Sequence, residues 1–306
     1  MNDGIDILSL ALLGKSDKSF SGSELDIIKR MAISEKYGID NYIRKSYNDG
    51  IVDSMYDIAK TVVSNKGVAA TNTTELFGDL PGESKWYGGV LAPNGKIYGI
   101  PRNASKILCI DPETNTTDLF GNLPGTNKWT GGVLAPNGKI YGIPNTSTQI
   151  LCIDPETNTT ELFGDLPGES KWYGGVLAPN GKIYGIPNTS TQILCIDPET
   201  HTTELFGTLS SDINKWTGGV LAPNGKIYCM PRISTQVLCI DPETNTTELF
   251  GTLSSDVNKW TGGVLAPNGK IYGMPRDSTQ VLCVDPGCPN NFKMETLLSP
   301  ATNIDF

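Results

Sequence analysis

Apolar and polar positions change in short blocks from about residue 68 onward, with the spacing of strands and turns. Gly88 to Ala92 reads as a strand, and Pro93-Asn94-Gly95 follows as a hairpin turn, since Asn-Gly tolerates positive φ. Lys96 to Ile100 is a second strand, and a short polar loop leads to a third, Ile107 to Ile110. Asp111-Pro112-Glu113-Thr114-Asn115 makes the next turn, with Asp accepting backbone hydrogen bonds and Pro presetting φ. Thr116 to Phe120 is the fourth strand and Gly121 closes the unit. In the third strand Ile107 and Cys109 point one way, Leu108 and Ile110 the other. A sheet apolar on both faces needs a neighbour on each side. The fourth strand, T-T-E-L-F in most copies, is half polar, as suits an outer edge.

The whole unit recurs. Trp86, Trp129, Trp172, Trp216 and Trp260 stand 43 or 44 residues apart, each opening nearly the same segment. A period of that length marks a repeat architecture. Small four-stranded sheets, each packed between two others and twisted, close radially, so the pattern predicts a mainly β fold. The expectation is a five-bladed β-propeller over residues 67–306, with four-stranded blades of 43–44 residues. A linear stack would need distinct capping copies, and the sequence offers none. Two segments could supply the closing outer strand, Thr73 to Gly78 and Lys293 to Ser299. The first is the expected closure.

Residues 1–66 differ in kind. Ser21 and Glu24 form a capping-box pattern ahead of an apolar run that stops at Gly38. Ile51, Met55, Ile58 and Val62 place one apolar stripe on a helix. The region reads as a small α-helical N-terminal assembly or anchor segment. Asp3 and Asp6 occupy the place of a basic signal-peptide region, so no secretory route is expected. No stretch approaches the ~20 apolar residues of a membrane span.

Net charge is -9 without blocks of like charge, which opposes nucleic-acid binding and adhesion to anionic membranes. Of seven cysteines, Cys109, Cys152, Cys195, Cys239 and Cys283 share one slot of the repeat and read as small buried apolar residues. Cys229 replaces a glycine in one copy and is a disulfide candidate toward Cys239. Cys288 lies in the irregular last copy. The set as a whole reads as reduced thiols.

The unit W-x-G-G-V-L-A-P-N-G-K-I-Y-G-I-P resembles the propeller repeats of the streptogramin-lyase and gluconolactonase/regucalcin-like classes over residues 73–286. The resemblance implies the propeller fold. It also implies, for the regucalcin-like class, a metal site of single-copy Glu, Asn and Asp at the central channel, and for the lyase class a His with an acid there. The chain shows no such singular carboxylates, and its one histidine, His201, stands in a turn where the other copies have Asn. No cofactor, metal or catalytic residue is therefore expected. The opening D-G-I-D-I-L-S-L-A-L-L-G-K resembles the short leader of some bacteriophage virion proteins. That likeness implies a virion component made in the host cytoplasm, with other virion subunits met through the N-terminal helices.

The P-N-G and D-P-E-T-N turns share one rim, and the variable loops share the other. Candidate ligand-binding residues on the variable rim are Trp86, Trp129, Trp172, Trp216 and Trp260, with Arg102, Asn145, Asn188, Arg232 and Arg276. Trp beside polar loops can stack on sugar rings; a Trp in every repeat also serves as an inter-blade packing wedge. Loop variation fits either a binding face or drift. Five near-copies supply like residues around a ring, whereas catalysis needs unlike residues converging. The sequence thus points to a non-enzymatic, multivalent binding module for a glycan or protein on a target surface, with homo-oligomers possible. The alternatives are a cytoplasmic lectin-like or protein-interaction scaffold and, disfavoured, a propeller enzyme of lyase or lactonase type.

Overall fold

The computed structural model describes residues 72–287. The expected helical segment 1–66, the phage-like leader, the strand Lys293 to Ser299 and Cys288 lie outside the described residues. The chain divides into two units, residues 1–74 with 289–306 and residues 75–288. The second holds every strand that is described.

Nineteen strands follow one another without a helix among the described residues. The first sheet is β1 (Trp86–Leu91), β2 (Ile97–Pro101), β3 (Ile107–Asp111) and β4 (Thr116–Phe120). The second is β5 (Trp129–Leu134), β6 (Ile140–Pro144), β7 (Ile150–Asp154) and β8 (Thr159–Phe163). The third is β9 (Trp172–Leu177), β10 (Ile183–Pro187), β11 (Ile193–Asp197) and β12 (Thr202–Phe206). The fourth is β13 (Trp216–Leu221), β14 (Ile227–Pro231), β15 (Val237–Asp241) and β16 (Thr246–Phe250). The fifth has only β17 (Trp260–Leu265), β18 (Ile271–Pro275) and β19 (Leu282–Val284). Each sheet is an antiparallel meander in chain order.

Four apolar clusters join the five sheets in a row. At the first junction Tyr98, Ile100, Ile107 and Cys109 of one sheet meet Trp129, Ile140, Leu151 and Ile153 of the next. Within it a knob enters a hole. A Cβ added at Gly132 would lie 2.6 Å from Ile100 Cδ1, so only glycine admits the isoleucine. Ile143 meets Gly175, Ile186 meets Gly219 and Met230 meets Gly263 in the same way. Polar ties run alongside. The Tyr98 hydroxyl donates to Asn158 Oδ1 at 2.8 Å, and Asn94 Nδ2 donates to the Pro155 carbonyl at 2.8 Å, both in the following sheet.

This corrects the sequence-based expectation of five four-stranded blades behind a helical segment. The fifth sheet has three strands among the described residues, and no helix is found there. The segment expected to complete the fifth sheet stands elsewhere. Glu75 accepts from Asn115 Nδ2 at 2.9 Å, as Glu204 of the third sheet accepts from Asn245 of the fourth at 3.2 Å. Residues 75–78 thus occupy the outer-strand place ahead of the first sheet. Among the described residues no cluster joins the first sheet to the fifth, and the outward faces of these two are open: Leu91 is 62% exposed and Val264 56%.

The Cys229–Cys239 bridge is not formed; both thiols are free and buried. Cys229 packs in the junction of the third and fourth sheets and Cys239 in that of the fourth and fifth, so they sit on opposite faces of one sheet. Burial pushes both thiols up from their ordinary pKa.

Candidate functional site: a tyrosine–arginine cluster on the variable rim

Strand register builds the rim. Trp86 pairs with Pro101 and a bulge follows before Gly89, so Tyr87 and Arg102, the next residue of each strand end, emerge together. The same register in later repeats brings out Tyr173 after Trp172 and Arg232 after Pro231. The row of sheets curves enough that Tyr87 of the first reaches Tyr173 of the third. The Tyr173 hydroxyl donates to that of Tyr87 at 2.6 Å, and the rings meet edge-on with centroids 5.5 Å apart.

Arg102 lies over the Tyr87 ring, its Cζ 5.5 Å from the centroid. Its Nε donates to Asn127 Oδ1 at 2.9 Å. Arg232 donates from Nε to Asn258 Oδ1 at 2.8 Å and from Nη1 to Asn214 Oδ1 at 3.2 Å. Each guanidinium is held by its root, from the loop that precedes the next Lys-Trp pair. Burial pushes the Tyr173 hydroxyl up to about 12, the Tyr87 hydroxyl adds to this, and the Arg102 and Arg232 charges oppose it. Two cations from the first and fourth sheets therefore act on one hydroxyl of the third.

Of the residues singled out in the sequence, Arg102 packs in this cluster and Arg232 stands near enough for its charge to act on Tyr173. Asn145 and Asn188 are buried and donate to the Trp172 and Trp216 carbonyls at 3.3 and 3.4 Å, tying one sheet to the next. Arg276 is exposed, with Nε 3.9 Å from Asp277. Trp129, Trp172, Trp216 and Trp260 are buried, and Trp86 is half-buried at the open end. Every indole N–H donates to the carbonyl twenty residues on, as from Trp172 to Gln192 at 3.0 Å. The Lys before each is equally structural. Lys171 Nζ donates to the Asn145, Ser147 and Gly168 carbonyls at 2.8–3.0 Å and lies 5.8 Å from the Trp172 ring centre.

Tyr87 and Tyr173 were not anticipated. The signal lay in the residue after each Trp, which reads Tyr, Thr, Tyr, Thr, Thr along the chain. On the opposite rim His201 takes the Asn slot of its turn, with Nδ1 3.3 Å from Glu161, Nε2 3.2 Å from the Tyr141 hydroxyl, and its ring stacked on Phe163. Among the described residues no three His, Cys, Asp or Glu side chains gather as metal ligands.

No protein-family model matches the chain, and no curated protein matches it in sequence. Solved structures do match in fold. Virginiamycin B lyase from Staphylococcus aureus superposes with a TM-score of 0.54 at 14% identity, over 68% of this chain and 72% of that one. A streptogramin B lyase gives 0.55 at 17% identity, over 64% of each chain. The likeness is one of fold. The extracellular domain of a two-component system from B. thetaiotaomicron gives 0.50 at 13% identity, over 62% of this chain and 26% of that chain. The shared architecture is thus the repeated-blade propeller kind, found in a lyase in one case and in the extracellular domain of a two-component system in another.

Proposed function

We propose that the protein is a non-enzymatic binding module whose variable rim recognises an acidic glycan on a target surface. The observation that carries this reading is the convergence of Arg102, Arg232, Tyr87 and Tyr173 from three separate repeats. Guanidinium groups offer paired donors to a carboxylate, and aromatic edges offer apolar surface to the ring of a sugar. Arg102, held through its Nε, keeps both far nitrogens for the ligand, and Arg232, held through Nε and Nη1, keeps Nη2; this anchoring lowers the ordering cost on binding. The placement of the histidine supports the same reading. His201, the chain's one histidine, is engaged with Glu161, Tyr141 and Phe163 on the other rim. The lyase likeness, at this identity, brings the fold and leaves the chemistry to these residues. A virion setting, with residues 1–66 attaching to other subunits, rests on the leader's resemblance alone.

Titration calorimetry with a uronic-acid oligosaccharide and its neutral, carboxyl-reduced counterpart tests this. Each charge-assisted hydrogen bond is worth about 1.5–3 kcal/mol, so Arg102→Ala or Arg232→Ala should weaken acidic-glycan binding roughly 10- to 100-fold. The neutral oligosaccharide should bind less tightly and be insensitive to both changes. Equal binding of the two sugars, or binding unaltered in both variants, would remove the assignment; binding of an acidic peptide in their place would reassign the rim to a protein partner.

A further inference from the structure

The two open faces of the row are the two halves of an interface the chain already forms four times, and we propose that a second copy of this chain docks there head to tail. The fifth sheet ends on a knob, and the first begins on a hole. Met274 holds the place of Ile100, Ile143, Ile186 and Met230, all fully buried, yet is 41% exposed. Gly89 holds the place of Gly132, Gly175, Gly219 and Gly263, yet a Cβ there would meet only its own sheet, with Ile97 Cγ2 nearest at 3.4 Å. Val264 and Val281, 56% and 59% exposed, face outward beside Met274, and Leu91, 62% exposed, beside Gly89.

The polar ties match as well. At the first three junctions the tyrosine of one sheet and the Asn four residues before it reach the proline carbonyl of the Asp-Pro turn of the next, and at the fourth Asn224 reaches Pro286 in the same way. In the fifth sheet Asn268 Nδ2 donates to the Tyr272 hydroxyl at 3.0 Å and its Oδ1 accepts from the Lys270 N–H within the same turn, and neither side chain is bonded to another sheet among the described residues. The Pro112 carbonyl and Asn115 Oδ1 of the first sheet are the counterparts, and no Tyr or Asn of another described sheet reaches them. Each later Lys of a Lys-Trp pair is held by carbonyls of the preceding sheet's loop, as Lys128 is by Arg102 and Ala104 at 3.1 and 2.8 Å. Lys85 Nζ donates only to the nearby Leu80 carbonyl among the described residues. Likewise Leu123, Leu166, Leu209 and Leu253 donate their N–H to Ser105, Thr148, Thr191 and Thr235 of the preceding sheet, while Leu80 N–H and the Thr279 carbonyl have no such counterpart among the described residues.

Strand pairing completes the match. β3 pairs with β4 through Ile107 with Phe120, Leu108 with Leu119 and Cys109 with Asp118. By the same register Val281, Leu282 and Cys283 of one copy would pair with Phe77, Leu76 and Glu75 of the next. Leu76 is wholly exposed as it stands. The described residues do not satisfy these groups among themselves, because four like junctions fix the turn from sheet to sheet and at that turn the first and fifth sheets do not meet. A head-to-tail contact of this kind builds a ring if its rotation closes and a filament if it does not.

Sedimentation of the full chain across a wide concentration range tests the proposal. The mass should rise above 32.9 kDa with concentration. Met274→Arg blocks one face and Gly89→Leu the other, so each variant alone should stay monomeric. Mixed in equal amounts they should form a dimer and nothing larger, because one competent face of each kind remains. If Gly89→Leu loses its far-ultraviolet spectrum, Leu91→Arg on the same exposed face replaces it. A wild-type mass of 32.9 kDa at every concentration, or a mixture that stays monomeric, overturns the proposal.

Discussion

Lys171 shows how one residue type can be polar in composition and structural in effect. Its ammonium is removed from water, and burial pulls its pKa down to about 8, with Glu169 acting in the opposite sense. It still carries its proton at neutral pH, where three carbonyls and an indole face replace the lost hydration. Removing the charge and its donors strands those carbonyls. Lys171→Met is expected to lower stability by about 2–4 kcal/mol in urea unfolding. Lys182, paired with Asp197 at 3.3 Å on the exposed rim, provides the contrast. Lys182→Met should cost less than about 1 kcal/mol. Equal costs would mean that the Lys-Trp pair does not lock one repeat to the next.

At the scale of elements, the knob-and-hole junction decides which glycines are obligatory. Gly132→Ala would drive a methyl against Ile100, itself fully buried, and should cost about 1–3 kcal/mol. The same change at Gly89, where nothing from another sheet approaches, should leave the unfolding midpoint of the monomer nearly unmoved. Much of this element plan was legible in the sequence. Turn chemistry at P-N-G and D-P-E-T-N placed Thr116 to Phe120 as observed and the neighbouring strands within about two residues. The bulge after Trp86 was not legible, because two glycines in a row conceal where pairing resumes. Two-sided apolar strands demanded neighbours, yet they do not encode the angle from one sheet to the next. That angle decides whether Thr73 to Gly78 can reach β19, and whether Tyr87 can touch Tyr173 across an intervening repeat. Arg102 and Arg232 could be read from loop variation, but their convergence on Tyr173 depends on the curvature.

For the whole molecule, the account rests on five sheets joined by four like junctions, with complementary faces left open at the ends. Cys283 reports on this directly. Its equivalents Cys109, Cys152, Cys195 and Cys239 are buried in junctions, whereas Cys283 lies exposed on the open face of the fifth sheet. Burial lifts the pKa of those four thiols, which further slows their reaction. The decisive measurement is thiol labelling of the native Cys288→Ser protein, read by peptide mass as a function of protein concentration. In dilute solution Cys283 should label far faster than Cys195, and its rate should fall as concentration rises and a second copy covers the face. Labelling of Cys283 as slow as that of Cys195 even at the lowest concentration would mean that the chain covers its own ends, contradicting the open row.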